Sequence, residues 1–208
     1  MSAAVRVLRH SRSVILCFFA ALAGAGLPVQ AAESDPADLG TLVLVAKSGM
    51  RDPLYRATVL MARPAGAGQH IGFILNKRTN LSLSSAFPNH EPSKKVSEPL
   101  YLGGPAGVSA VFALVQSSTS PGKDARQIAD DLFVATSRGT VDHIIETDPE
   151  HARFFMGGVI WRPGELAEEL KRGLWHVVSP SAGKLMPKTT EGMWEEMVRE
   201  AELSDRAI

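Results

Sequence analysis

The sequence predicts an α/β fold, at the border with α+β, in which one compact domain packs helices against a mixed β-sheet. Strand-like segments come in adjacent pairs in the first half of the chain, and strand-to-helix units follow in the second half. The sequence has no G-x-G-x-x-G after the first strand and no G-x-x-x-x-G-K-[ST]. These observations favour a mixed sheet over a doubly wound nucleotide-binding fold.

The first part of the domain is predicted to hold three strands and a helix. Residues 41–46 are a Val/Leu run with strand composition. Asp52-Pro53 has the form of a helix N-cap followed by proline at the first helical position. Residues 57–62 and 70–76 are two further strands, and a hairpin loop at 64–68 joins them. We expect these two strands to pair with each other.

The middle of the chain alternates short elements with polar loops. Residues 81–87 are predicted to form a short helix, and residues 88–99 a polar loop that carries both acids and lysines. Residues 100–102 and 110–116 are strands on either side of a Gly-Gly-Pro turn, and a loop at 117–123 follows.

The last part is predicted to contain two strands and three helices. A strand at 132–136 leads into a helix at 139–147, and a strand at 152–161 leads into a helix that begins at residue 163 or 164. The last helix is expected near 190–202. The residues expected to face the core from these helices are Val141, Ile144 and Ile145, then Leu166, Leu170 and Leu174, and finally Trp194 with Val198.

Residues 1–31 have the pattern of a secretory signal peptide. Three arginines precede an uncharged apolar run at 14–27, and Val29-Gln30-Ala31 fits signal peptidase, so cleavage after Ala31 is expected. The run is shorter than the roughly 20 residues of a membrane span. A transit peptide, an uncleaved anchor and a misassigned start are the alternatives. Residues 32–40 are then a flexible arm, and 41–208 the folded domain.

Composition narrows the classes of function. Removing 31 residues from the 208-residue chain leaves 177, the size of one domain. The leader holds three of the 22 basic residues and none of the 22 acidic ones, so the mature net charge is −3. This charge argues against nucleic-acid binding, because such binding needs a concentrated basic surface. The single cysteine, Cys17, leaves with the leader, which excludes a disulfide or a thiolate nucleophile.

Familiar catalytic and metal-binding motifs are absent from the sequence. No histidine pair has zinc-protease spacing, and no G-x-S-x-G elbow occurs, so we expect no metal, no cofactor and no catalytic residue of a known class. An S-x-x-K match, Ser181 to Lys184, lies in a Pro/Gly loop without an S-D-N partner.

Polar residues at turns and strand ends form the candidate ligand surface. Arg138, beside a helix N-terminus, is suited to hold a carboxylate or phosphate, and the Gly-Gly turn exposes backbone N–H groups. Each position also has a structural interpretation, as a turn, a cap or a core residue, and for the Gly-Gly turn and Arg138 this is favoured. The candidate residues are Asp52, Asn76, Lys77, Gly103, Gly104, Pro105, Ser137, Arg138 and Trp161.

Taken in order, these motifs make the chain resemble the bacterial YqgE/AlgH family, also called UPF0301 or DUF179. The colinear match spans about residues 39–186 and includes Gly72 to Lys77, Thr136 to Arg138, and Trp161 with Gly164-Glu165-Leu166. The resemblance implies a compact mixed-sheet α/β fold and no established enzymatic activity. It also brings the label of transcriptional regulator, although relatives generally lack a leader. This chain has Gly157-Gly158-Val159-Ile160-Trp161 where relatives usually have G-Y-A-G-W.

Three functions are carried forward from the sequence. The leading one is a non-enzymatic binding or interaction module, exported to the periplasm, whose partner is a small anion or a protein. The alternatives are a cytoplasmic transcriptional regulator and a serine hydrolase that uses Ser137 or another serine with Lys77 or a histidine as base. No stable membrane anchor is expected once the leader is cleaved.

Overall fold

A computed structural model describes residues 40–206, so the predicted leader and residues 32–39 of the predicted arm lie outside the described part. Within that part, ten strands and five α-helices form the domain. The strands are β1 (Leu42–Ala46), β2 (Val59–Gly66), β3 (Gln69–Ile74), β4 (Arg78–Ser82), β5 (Pro99–Leu102), β6 (Ala106–Gln116), β7 (Ala125–Ala129), β8 (Leu132–Ala135), β9 (Ala152–Trp161) and β10 (Trp175–Val178). The helices are α1 (Leu83–Ala86), α2 (Arg138–Thr147), α3 (Glu165–Lys171), α4 (Ala182–Leu185) and α5 (Met193–Arg206).

The strands form one mixed sheet, which confirms the predicted fold class. Its order is β10-β1-β2-β3-β9-β6-β8-β7, and the β4–β5 pair joins it through β9. β5 and β9 run parallel, whereas the other pairs of the described sheet are antiparallel. Sequential antiparallel neighbours reflect the short connections that the sequence predicts between the early strands.

β9 is the strand that holds the two halves of the sheet together. Its C-terminal residues pair with β3, its N-terminal half pairs with β5, and its other edge pairs with β6. The predicted bounds of 152–161 are confirmed. Gly157 lies at a φ of +64°, opposite the register shift between Ala106 and Val111 of β6.

The predicted hairpin between the second and third strands is confirmed, but its loop is shorter than expected. β2 continues to Gly66 and β3 starts at Gln69, so only two residues separate them. The sequence predicts the loop at 64–68 because Pro64 and the glycines are typical turn residues. Instead a register shift between Pro64 and Gly66 accommodates them within the strand.

The prediction of a helix after Asp52-Pro53 is wrong. Asp52 caps a single turn, in which its Oδ1 accepts hydrogen bonds from the N–H groups of Leu54 (2.8 Å) and Tyr55 (3.2 Å). The N–H of Arg56 then donates to the carbonyl of Asp52. Ala57 follows with a φ of +55°, outside the helical region, so the chain leaves the turn and enters β2.

Three apolar clusters hold the helices against the sheet. On one face, Met193, Met197 and Val198 of α5 pack on β1, β2 and the centre of the sheet, and Trp194 joins them as predicted. On the opposite face, Leu166 of α3 packs over β1–β3. The predicted inward residues of α2 are buried in the third cluster, over β6, β8 and β9.

Several short elements differ from prediction. β4 occupies the start of the helix predicted at 81–87, and the helix itself is confirmed for Leu83–Ala86. A 3-10 helix, Glu91–Lys95, interrupts the predicted polar loop. Leu174 lies beyond the end of α3, because the chain turns at Gly173 (φ +66°) and begins β10. No helix among residues 40–206 has the length and apolar character to cross a membrane.

Candidate functional site

Four of the predicted site residues lie in one region, around the start of β2 and the end of β3. The side chains of Asn76 and Lys77 both contact the 52–59 segment that contains Asp52. The carbonyl of Gly103 accepts a hydrogen bond from the N–H of Ile74, at 2.8 Å. Residues that are distant in sequence are thus brought together by the pairing of the β2–β3 hairpin and the neighbouring β5.

The carboxamide of Asn76 fixes the beginning of β2. Its Oδ1 accepts a hydrogen bond from the N–H of Val59 at 3.0 Å, and its Nδ2 donates to the carbonyl of Ala57 at 2.9 Å. Ala57 is at positive φ, so the backbone is irregular where the chain enters β2. Asn76 therefore supplies the hydrogen bonds that the turn would otherwise leave unmade.

Gly103 and Gly104 allow two backbone segments to touch. A Cβ at Gly103 would lie 2.3 Å from the carbonyl oxygen of Gly157, and a Cβ at Gly104 would lie 2.3 Å from the carbonyl of Gly158. The geometry thus supports the structural interpretation of the Gly-Gly pair. Glycine is needed at both positions because the two backbone segments approach closely. Pro105 is exposed beside it.

Ser137 and Arg138 belong to a different part of the surface. The Ser137 hydroxyl accepts from the N–H of Thr140 and donates to the hydroxyl of Thr140, so it caps α2. The Arg138 side chain is 89% exposed, and its Nε lies 3.7 Å from the carboxylate of Asp142 one turn further along. The structure therefore gives Ser137 a capping role, and among the described residues no hydrogen bond joins it to Lys77.

Trp161 lies in the core, where it is 3% exposed and packs with Leu166 and with apolar residues of β1 and β2. A Cβ added to Gly72 would meet its ring at 2.6 Å, so the indole lies directly against the β3 backbone. Its side chain is covered, which favours the core interpretation over that of a ligand platform.

A groove of about 510 Å³ opens beside Asn76 and Lys77. One wall is the stretch from Asn76 to Thr79 with Leu102, and the other is formed by Thr189, Thr190 and Glu191, in the connection between α4 and α5. We call it the 76–191 groove. Hydroxyl, ammonium and guanidinium groups outnumber apolar ones along it, so it is suited to a polar ligand.

The 76–191 groove carries more positive than negative charge. Lys77 Nζ donates one long hydrogen bond, 3.4 Å, to the carbonyl of Pro53, and within residues 40–206 neither Lys77 nor Arg78 forms an ion pair. Burial, followed by repulsion from Arg56, lowers the pKa of Lys77, whereas Asp52 raises it. The ammonium group is therefore short of neutralising contacts on the protein itself.

Arg153 adds a buried positive charge close to Arg78. The residue is 7% exposed, its guanidinium lies 4.9 Å from the ring centroid of Tyr101, and its Nη2 donates to the carbonyl of Pro187 at 2.8 Å. Burial is the main cause that lowers the pKa of Arg153, and Arg78 lowers it further. Nη1 is buried and has no hydrogen-bond partner among the described residues.

The sequence predicted two of the eight residues that line this groove. Asn76 and Lys77 were candidates, and Arg78 and Thr79 follow them directly as the first residues of β4, a strand that the sequence did not predict. Thr189 to Glu191 are brought in by the packing of α5, which leaves no local pattern. Arg153 had a visible signal, because it is the one charged residue in the otherwise apolar run of β9.

No three His, Cys, Asp or Glu side chains within the described residues are placed to hold one metal ion. His151 instead makes a local contact, with its Nδ1 2.6 Å from Oδ1 of Asp148. The hydrogen bond, and then the charge of Asp148, raises the pKa of this exposed histidine.

The fold and the 76–191 groove define a small mixed-sheet domain with a polar groove at its strand ends. Residues 43–204 match the family model DUF179, described as AlgH-like, so the chain belongs to the AlgH-like family. The resemblance seen in the sequence is thereby confirmed.

Relatives and solved structures agree with this assignment. UPF0301 proteins from Chlorobaculum parvum and Chlorobaculum tepidum are 28% and 29% identical, over 76% of this chain and 83% of each relative. A crystal structure from Corynebacterium diphtheriae matches with a TM-score of 0.63 and 21% identity, over 76% of this chain and 85% of that one. The AlgH protein from Pseudomonas aeruginosa matches at 0.60 and 21%, over 76% and 84%. At this identity the two structures show the shared fold alone.

Proposed function

We propose that this chain is a non-enzymatic binding module that holds a small anion in the 76–191 groove. The observation that carries the proposal is the pair of adjacent cations, Lys77 and Arg78, that line the groove without an ion pair among the described residues. Cations placed together repel each other, and an anionic ligand removes that repulsion.

The ligand class follows from the donors in the groove. Arg78 offers a planar fork that suits a carboxylate or phosphate, and Lys77 offers a compact ammonium group. The Thr190 hydroxyl lines the opposite wall. Glu191 is the one acid in the lining, so the three charged side chains leave a formal excess of one positive charge. A small carboxylate or phosphate ester fits this balance.

The first test is anion binding by isothermal titration calorimetry, with inorganic phosphate and citrate as probes at low ionic strength. We expect Arg78→Gln to weaken binding about tenfold or more, because a charge-assisted hydrogen bond contributes about 1.5–3 kcal/mol. Arg78 is exposed, so the substitution is expected to leave folding intact.

Arg138→Gln is the matched control, since it removes the same charge from the other candidate anion site, at the start of α2. Under the proposal it binds like the wild type. If Arg138→Gln loses anion binding and Arg78→Gln keeps it, the anion site lies at the start of α2. If the wild-type protein gives no heat of binding with either anion, the groove is not an anion site.

We further propose that the module works outside the cytoplasm. The support is the basic, apolar and small-residue order of residues 1–31 and the acidic balance of the remaining chain. N-terminal sequencing of the protein from the envelope fraction of its native host is expected to begin at Ala32. An intact N-terminus in the cytosolic fraction contradicts export and restores the cytoplasmic regulator as a candidate.

A further inference from the structure

A second cavity, which shares no lining residue with the 76–191 groove, lies between the 49–55 segment and the end of α3. It has a volume of about 450 Å³ and is lined by two aromatic rings, two carboxylates, two guanidinium groups and the apolar side chains of Met50 and Leu174. We call it the 49–175 cavity. Apolar and aromatic side chains with a few charged groups are typical of the lining of small-molecule sites.

Tyr55 and Trp175 form two adjoining walls. Their ring centroids are 6.2 Å apart and the planes meet at 79°, so the rings stand edge to face. Trp175 is 5% exposed and is held in place by its Nε1, which donates to Oε2 of Glu169 at 2.9 Å. The corner is therefore preorganised, which lowers the entropy cost of binding.

Two carboxylates face this corner with unused acceptor capacity. Glu169 accepts from Trp175 through Oε2, and Asp52 accepts from Leu54 and Tyr55 through Oδ1. Oε1 of Glu169 and Oδ2 of Asp52 have no hydrogen-bond partner within residues 40–206. Burial, then Glu169 and then Asp52, raises the pKa of the Tyr55 phenol, so the phenol stays protonated and its oxygen lies in a negative field.

Arg51 and Arg172 line the same cavity and are exposed. Neither forms an ion pair with Asp52 or Glu169, or with any other described residue. The cavity is thus lined by cations and anions that form no ion pairs with each other. The carboxylates lie around the aromatic corner, and the guanidinium groups are exposed to solvent. This separation of charge is complementary to a ligand that carries both a positive and a negative charge.

We propose that the 49–175 cavity binds a free α-amino acid with an apolar side chain. The ammonium group has three N–H donors, and Glu169, Asp52 and the Tyr55 oxygen are three acceptors beside it. The carboxylate of the ligand pairs with Arg172 or Arg51. Met50 and Leu174 provide the apolar contact for the side chain, and an aromatic face stabilises the cation further.

The test uses L-leucine, L-leucine methyl ester and N-acetyl-L-leucine with the full mature chain. Binding is followed by the indole N–H signal of Trp175 in ¹H–¹⁵N NMR spectra. L-Leucine is expected to shift this signal in a saturable way. The ester, which lacks the carboxylate, and the acetyl compound, which lacks the ammonium group, are each expected to bind at least about tenfold more weakly, the loss of one charge-assisted contact.

Glu169→Gln is the decisive variant, because glutamine keeps an oxygen that accepts from Trp175 Nε1 and removes only the negative charge. It is expected to weaken leucine binding about tenfold, and the neighbouring exposed Glu168→Gln is expected to bind like the wild type. The proposal is overturned if leucine leaves the Trp175 signal unchanged at 50-fold molar excess, if either analogue binds as well as leucine, or if Glu169→Gln binds unchanged. None of these results bears on the proposal that Arg78 binds phosphate in the 76–191 groove, which is tested separately.

Discussion

Gly103→Ala is expected to lower the free energy of unfolding by about 3 kcal/mol or more. A Cβ at position 103 would lie 2.3 Å from the carbonyl oxygen of Gly157 and 3.1 Å from Cβ of Phe155. The atom in the way is backbone of β9, which is hydrogen-bonded to β3, β5 and β6. Moving it disturbs three strands, so rotation of a side chain does not relieve the clash. Urea unfolding followed by circular dichroism measures the loss.

Gly139→Ala is the matched control for this substitution. Gly139 lies in the first turn of α2, and a Cβ there would meet no atom within 4 Å. Alanine is favoured over glycine in a helix by up to about 1 kcal/mol, so this variant is expected to be as stable as the wild type or more stable. A Gly103→Ala protein that unfolds at the wild-type urea concentration contradicts the close-packed crossing.

Elements with long patterns and clear ends were predictable from the sequence. β9 has ten residues of nearly uninterrupted apolar character, and its predicted bounds are those of the structure. α2 begins one residue before its predicted start, because Ser137 is a real N-cap and the inward residues recur at helical spacing. In both cases local preference and burial point to the same structure, which is the condition for prediction from one sequence.

Short elements were not predictable, because tertiary contacts create them. β10 has four residues and exists through its pairing with β1, from Val43↔Val178 to Ala46↔Trp175. Leu174, the residue before β10, continues the helical spacing of α3, so the sequence favours a longer helix at this position over the strand. Asp52-Pro53 shows the same limit, since an Asp cap starts a helical turn whether or not a helix follows. The positive φ of Ala57, which ends that turn, has no signature in an alanine.

The candidate site shows which polar residues the sequence is able to identify. Asn76 and Lys77 were visible as polar residues at a strand end, and both line the 76–191 groove. Their roles were not visible, because the hydrogen bonds of Asn76 go to backbone 17 and 19 residues away. Asp52 was likewise visible, but the 49–175 cavity that it lines is completed by Glu169 and Trp175, from a distant part of the sequence.

Asn76→Ala is expected to lower the free energy of unfolding by about 3 kcal/mol, which makes it a poor probe of ligand binding. The substitution leaves the N–H of Val59, a residue with 0% exposure, and the carbonyl of Ala57 without their partner. A buried donor that loses its acceptor costs more than an average hydrogen bond contributes, since water does not replace the lost group. Thermal and urea unfolding measure the change directly.

Asn80→Ala separates this effect from the general loss of an asparagine. Asn80 is exposed on β4, close to the groove, and its side chain forms no hydrogen bond among the described residues, so its removal is expected to change stability by less than about 0.5 kcal/mol. Arg78→Gln is expected to show the reverse behaviour of Asn76→Ala, with anion binding weakened and stability kept. If Asn76→Ala instead unfolds like the wild type and loses anion binding, the carboxamide contacts the ligand, and the hydrogen bonds to Val59 and Ala57 are not what holds the start of β2 in place.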